Sequence, residues 1–126
     1  LESYAKGRAE FLGRLSDDDV RTMYRRASVA LLPGEEDFGI VPLEAMACGR
    51  PVVALGRGGA LETVAPGTGI LVDDVSVDAF ADAVAQAVHT PFDSHVIRAH
   101  AEQFGRERFG DELEALVRGP LEVGAR

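Results

Sequence analysis

A single cysteine, Cys48, is all the thiol that 126 residues supply, so no internal disulfide can form. This fits a reducing compartment, and the place of Cys48 in an apolar helical run reads as small and buried. Basic residues are also scarce, 13 against 21 acidic, for a formal net charge of −8. An acidic chain without a basic run is poorly suited to nucleic-acid phosphates and to anionic lipid. No apolar run approaches the length of a membrane span, and the N-terminal residues show no signal-peptide pattern. Internal repeats, low-complexity tracts and linkers are absent as well. What remains is ordinary globular composition, 46% hydrophobic. The length suits one domain with a real core, residues 1–126.

Along the chain, short apolar runs alternate with helical patterns. Ala9–Gly13 reads as a short strand. Ser16 then caps a helix, with Asp17, Asp18 and Asp19 in its first turn and an apolar stripe of Val20, Met23, Tyr24 and Ala27. Val29–Pro33 and Pro51–Leu55 have the look of buried strands, and Gly69–Val72 of a further one. Ser76–His89 is an amphipathic helix with Phe80, Val84 and Val88 at helical spacing, stopped by Pro91. Asp93–Phe104 and Phe109–Arg118 read as the last helices. Four or five strands alternating with helices predict an α/β class: a Rossmann-like, doubly wound parallel sheet. His89, His95 and His100 are scattered over the late helices, which favours surface or packing roles.

The most informative stretch is Glu35–Gly49, EEDFGIVPLEAMACG. It lies between two of the expected strands and predicts a tight turn followed by a helix. Pro42 suits the first helical position, and Gly49 suits a left-handed stop. The turn then falls at the carboxyl end of a strand, where open α/β sheets bind ligands. The helix start aims free N–H groups and a positive dipole end at the same crevice, which suits phosphate. Gly39 permits close backbone approach. Glu44, in the expected first turn, can accept hydrogen bonds from a diol such as a ribose, and Glu36 can reach another part of the same ligand. A plainer account stands beside this one: Glu44 complements the helix dipole and Glu36 is a solvated loop charge. The Gly56-Arg57-Gly58-Gly59 segment ends the next strand and faces the same crevice, although a tight turn alone explains it.

The run EDFGIVPLEAMACGRPVVA (Glu36 to Ala54) resembles the signature of retaining GT-B glycosyltransferases of family four, whose pattern is Glu, seven residues, Glu. Gly58-Gly59-Ala60-Leu61-Glu62 resembles a second element of that family, and the segment RAHAEQFGRERF is similar to bacterial mannosyltransferases within it. The resemblance covers nearly the whole chain. It implies the last two-thirds of a C-terminal, nucleotide-sugar-binding GT-B domain. The N-terminal acceptor domain would be missing, and so would the basic pair that contacts the donor diphosphate. By the same resemblance the full enzyme would transfer a hexose from a nucleotide-diphosphate donor to a hydroxyl with retention, while this piece alone would be inactive.

In that scheme Glu36 contacts the donor sugar as the catalytic residue. Glu44 binds the ribose. Asp37, Phe38, Gly39, Ile40 and Val41 line the sugar and phosphates, Leu15 flanks the base, and Gly58 and Gly59 border the donor. Asp17 can accept from a guanine edge, which leads to GDP-mannose, or it simply belongs to the helix cap. The Asp-x-Asp match within Asp17–Asp19, a pattern of metal-dependent glycosyltransferases, has that same structural cause. No His/Cys/carboxylate cluster has metal-ligand spacing, so neither metal nor cofactor is expected beyond the donor itself. The implied location is cytoplasmic, with attachment at the inner membrane face through the missing domain. A non-catalytic nucleotide-sugar-binding module and a UDP-GlcNAc epimerase of the same architecture are the alternatives; the two-glutamate turn argues against the epimerase.

Overall fold

The computed structural model describes residues 5–35 and 40–105. The elements are helix α1 (Asp17–Arg26), strand β1 (Ala30–Leu32), helix α2 (Ile40–Ala47), strand β2 (Val52–Leu55), the single-turn helix α3 (Ala60–Thr63), strand β3 (Gly69–Val72), helix α4 (Val77–His89) and helix α5 (Ser94–Glu102). The three strands form one parallel sheet in the order β1-β2-β3. Its register pairs Ala30 with Val52 and Val52 with Gly69. Each parallel neighbour is reached through a helical crossover, as parallel pairing requires. All three strands therefore end at one edge, beside residues 33–35, 56–59 and 73–76.

Strand side chains alternate between the two faces, and the core divides accordingly. Val52 and Ala54 of β2 pack with Ala45 and Met46 of α2, Ala60 of α3, and Ile97 and Ala101 of α5. Val53 and Leu55 face the other way, with Val72 of β3 and Phe80, Ala83 and Ala87 of α4. Helices thus cover both faces of β2, which is buried along its whole length. Such burial is why the run Pro51–Leu55 is continuously apolar rather than alternating. Met46, Ile97, Val52 and Val53 are the largest fully buried apolar side chains, each contributing about 1.5–3 kcal/mol by burial.

The helix ends follow their residues. Ser16 Oγ accepts from the Asp19 N–H at 3.2 Å, Ser76 Oγ from Ala79 at 3.1 Å, and Asp93 Oδ1 from His95 at 2.8 Å. Gly49 closes α2 with φ 77°. Its N–H donates to Met46, and the next N–H, of Arg50, donates to Ala45. This is a Schellman arrangement, and the left-handed residue it needs is why a glycine stands there.

Several expectations are corrected. Residues 9–13 carry no strand, and the described residues hold three strands rather than four or five. Phe11 and Leu12 stay exposed, no neighbour pairs with them, and Gly13 at φ 67° breaks the extended path. Helix α2 begins at Ile40 rather than Pro42, with Pro42 still in the first turn, where its missing N–H leaves no bond unmade. In α4 the buried line is Phe80, Ala83 and Ala87. Val84 is half-buried and Val88 is exposed, because the small alanines let the helix approach the sheet on their own side. Helix α1 buries no residue completely, and Met23 of its expected stripe is exposed. Helix α5 ends at Glu102 rather than Phe104; its Ile97 and Ala101 are buried, whereas Val96, and Phe104 beyond its end, are exposed. The last expected helix, Phe109–Arg118, lies outside the described residues.

Candidate functional site

Helix α1 presents Asp17, Val20, Arg21 and Tyr24 at spacings of three and four residues, which places them on one face. That face meets α2. Between the two helices lies a cavity of about 410 Å³, bounded by these four residues, by Glu44 and Ala47 of α2, and by Cys48 just past its end, which is half-buried rather than buried as expected. Glu44 and Cys48 are one turn apart, so they too share a face. The cavity carries opposite charges on its walls, and the Tyr24 hydroxyl donates a hydrogen bond to Glu44 Oε2 at 3.2 Å.

The contacts around the cavity fix the two helices relative to each other. The Arg50 guanidinium, just after α2, donates to the Arg25 carbonyl in the last turn of α1. Arg98 of α5 donates to the Ala47 carbonyl at the C-terminus of α2 at 3.2 Å. Both cations sit where exposed helix carbonyls favour them. The Arg21–Asp18 pair, 3.7 Å apart, is exposed and adds little.

The position of Glu44 bears on its meaning. Because α2 starts at Ile40, Glu44 is its fifth residue, and the first turn carries no acid. A carboxylate beyond the first turn gains little from the helix dipole, which falls off within that turn. The dipole account of Glu44 is weakened accordingly. Its side chain is exposed, at the cavity, and held by a tyrosine from another helix.

The other candidates fall in different places. Asp17 is the first residue of α1 and reaches the cavity wall. Leu15 is half-buried in the segment before α1, and Val41 is half-buried in the first turn of α2. Gly58 is exposed at φ 60°, and Gly59 is the buried residue from which α3 starts. Neither Leu15, Val41, Gly58 nor Gly59 borders the cavity. Ile40 opens α2. Glu36, Asp37, Phe38 and Gly39 lie outside the described residues. Tyr24, Arg21 and Cys48 are new to the site. Tyr24 belongs to the expected apolar stripe of α1; its spacing of seven from Asp17 and its hydroxyl are the signals that set it apart.

A larger hollow of about 640 Å³ lies on the opposite face, against Leu31, Pro33, Val75, Val77, Phe80 and Val84. It lacks the convergent polar groups that orient a small ligand, so the smaller cavity is the candidate. Among the described residues no three His, Cys, Asp or Glu side chains are grouped to hold a metal ion, and no helix is long and apolar enough to cross a membrane. The triple aspartate is a capped helix start, with Asp19 donating its N–H to Ser16.

The sequence model described as "Glycosyl transferases group 1" matches residues 3–107. The chain belongs to the group 1 glycosyltransferases. This glycosyltransferase chain is 39% identical to the D-inositol 3-phosphate glycosyltransferase of Kribbella flavida, over 97% of its own length and 33% of that protein's. It is 34% identical to the GDP-mannose-dependent monoacylated alpha-(1-6)-phosphatidylinositol monomannoside mannosyltransferase of Corynebacterium glutamicum, over 86% of this chain and 32% of the other. Among solved structures, sucrose-phosphate synthase of Thermosynechococcus elongatus matches with a TM-score of 0.63 and 34% identity, covering 98% of this chain and 32% of that one. The Anabaena protein Alr3699/HepE, in complex with UDP, matches with a TM-score of 0.66 and 25% identity, over 90% and 34% of the two chains. The chain therefore spans about one third of the length of the curated relatives it matches. The family and the parallel, helix-covered sheet agree with the fold class expected, a partial GT-B domain.

Proposed function

We propose that the protein transfers a hexose from a nucleotide-diphosphate sugar to an acceptor hydroxyl, with retention, and that this chain holds the nucleoside part of the donor. The observation that carries the reading is Glu44: an exposed carboxylate on α2, facing a polar cavity rather than capping its helix, and hydrogen-bonded by Tyr24. A carboxylate so placed suits a ribose diol, which offers two hydroxyl donors to two oxygens. The start of α2 supplies N–H groups and a dipole for the diphosphate as it departs, which is the charge that most needs stabilising in such a reaction. Glu36, Asp37, Phe38 and Gly39 directly precede α2 and are assigned to the sugar and phosphates, with Glu36 as catalytic residue. Ile40, Val41, Gly58, Gly59 and Leu15 complete the donor's surroundings.

The donor is proposed to be GDP-mannose, bound without a metal or cofactor. The Corynebacterium relative is named for GDP-mannose, and Asp17 stands on the cavity wall where a guanine edge would find an acceptor. The UDP in the Anabaena structure makes uracil the competitor to test. The acceptor is assigned to sequence beyond the third that matches the relatives, so transfer by the 126 residues alone is not expected.

Titration of the protein with GDP, UDP, ADP and their sugars, with and without EDTA, tests this. GDP and GDP-mannose are expected to bind most tightly, unaffected by EDTA. Glu44→Gln is expected to lose about tenfold or more in affinity, since hydrogen bonds to charged groups contribute roughly 1.5–3 kcal/mol, with an unchanged unfolding midpoint. Wild-type affinity in that variant, or no nucleotide binding by the parent, would overturn the reading.

A further inference from the structure

We propose that Tyr24 is the positioning residue for Glu44: its hydroxyl holds one carboxylate oxygen so that the carboxylate is already oriented when the nucleotide arrives. The inference rests on the donor-site reading and adds to it a residue that acts through Glu44 rather than on the ligand. Tyr24 and Glu44 are 20 residues apart and belong to different helices, yet the hydroxyl donates to Glu44 Oε2 at 3.2 Å. The tyrosine ring is partly buried and packs against the core formed by α2, β2 and α5. Its hydroxyl is thus carried on a rigid body with two side-chain torsions, while Glu44 is a flexible, exposed side chain.

The physical consequence lies in orientation more than in stability. A bond between exposed partners adds little to folding, because water offers both the same bonds when they part. Narrowing the carboxylate's orientations before binding removes an entropic loss that the ligand would otherwise meet. A carboxylate has about four acceptor sites, so one bond from Tyr24 leaves room for a diol. The separation of 3.2 Å exceeds the roughly 2.7–2.8 Å usual for O–H···O, so the bond is a weak one that orients the carboxylate more than it stabilises the fold.

The test compares Tyr24→Phe, Glu44→Gln and the double variant in their affinity for whichever of GDP and UDP the parent binds more tightly, and for its 2′,3′-dideoxy analogue. Tyr24→Phe is expected to lose about fivefold in affinity for the natural nucleotide. It should show no loss for the dideoxy analogue, no change in unfolding midpoint, and no further loss in the Glu44→Gln background. If Tyr24→Phe does not fold, Tyr24→Met, which keeps the apolar contact and removes the hydroxyl, takes its place with the same expectations. Equal losses for both nucleotides, an additive double variant, or wild-type affinity in Tyr24→Phe while Glu44→Gln is impaired would overturn the positioning role and leave the donor site standing. Unimpaired binding by Glu44→Gln would remove the donor-site reading, and the positioning role with it.

Discussion

Gly69 is the residue at which the spacing of the sheet is tightest. It pairs with Val52 of the buried central strand, and a Cβ there would lie 2.1 Å from the Val52 carbonyl oxygen. Val52 is fully buried, with neighbours on both sides, so it cannot withdraw. Gly69→Ala is therefore expected to lower stability by about 3 kcal/mol, the upper range for overpacking. Gly34→Ala, where nothing lies within 4 Å, should stay within about 0.5 kcal/mol of the parent. Urea unfolding of both variants checks the pair. An unperturbed Gly69→Ala would mean that β2 and β3 are not in this register. Residues differ in how openly the sequence declares such roles. Gly49 announces itself by following a helical run. Gly69 does not, because its constraint comes from a strand 17 positions away in sequence. Tyr24 is hidden for a similar reason. On its own helix it is one more ring in an apolar stripe, and only the approach of α2 gives its hydroxyl a partner.

At the scale of elements, local chemistry decides what can be read. Helices α1, α4 and α5 each begin after a side chain that caps them, Ser16, Ser76 and Asp93. The two serine caps were visible because the capping oxygen and its N–H lie three residues apart; the Asp93 cap emerges only from the structure. Ser76→Ala should thus lower stability by about 1 kcal/mol, and Ser76→Asp should restore most of it, as thermal unfolding would show. A serine-to-alanine change without effect would mean that packing of Phe80, Ala83 and Ala87 alone fixes where α4 starts. Strands depend on partners instead. Val52–Leu55 was legible because a strand covered on both faces is continuously apolar. Residues 9–13 carry a comparable apolar pair, Phe11 and Leu12, but find no ladder to join and remain exposed. The candidate site was half legible for the same reason. The spacing of Glu44 from Glu36 is a local pattern, whereas the cavity wall from Asp17 to Tyr24 forms only when α1 docks on α2.

At the scale of the whole molecule, the sheet is unevenly covered. Among the described residues strand β1 lies at an edge of the sheet, and its middle residue, Leu31, is 51% exposed. Beside it Val75 and Val77 are 60% and 85% exposed, around the 640 Å³ apolar hollow. Parallel sheets are ordinarily covered on both faces, and an edge with apolar neighbours invites pairing with another chain. The net charge of −8 opposes that, since like-charged copies repel at low ionic strength. Salt screens the repulsion, shortening its range from about 30 Å at 0.01 M to about 3 Å at 1 M, while apolar contact persists. Self-association of this chain is therefore expected to grow with added salt, the reverse of an assembly held by ion pairs. Leu31→Lys places a charge on the edge strand, where natural proteins use lysine against such pairing. It should suppress the salt-dependent association and, because Leu31 is already half exposed, change stability by no more than about 1 kcal/mol. Sedimentation velocity at low and high salt separates the outcomes: association of the lysine variant equal to that of the parent would place the contact somewhere other than the β1 edge.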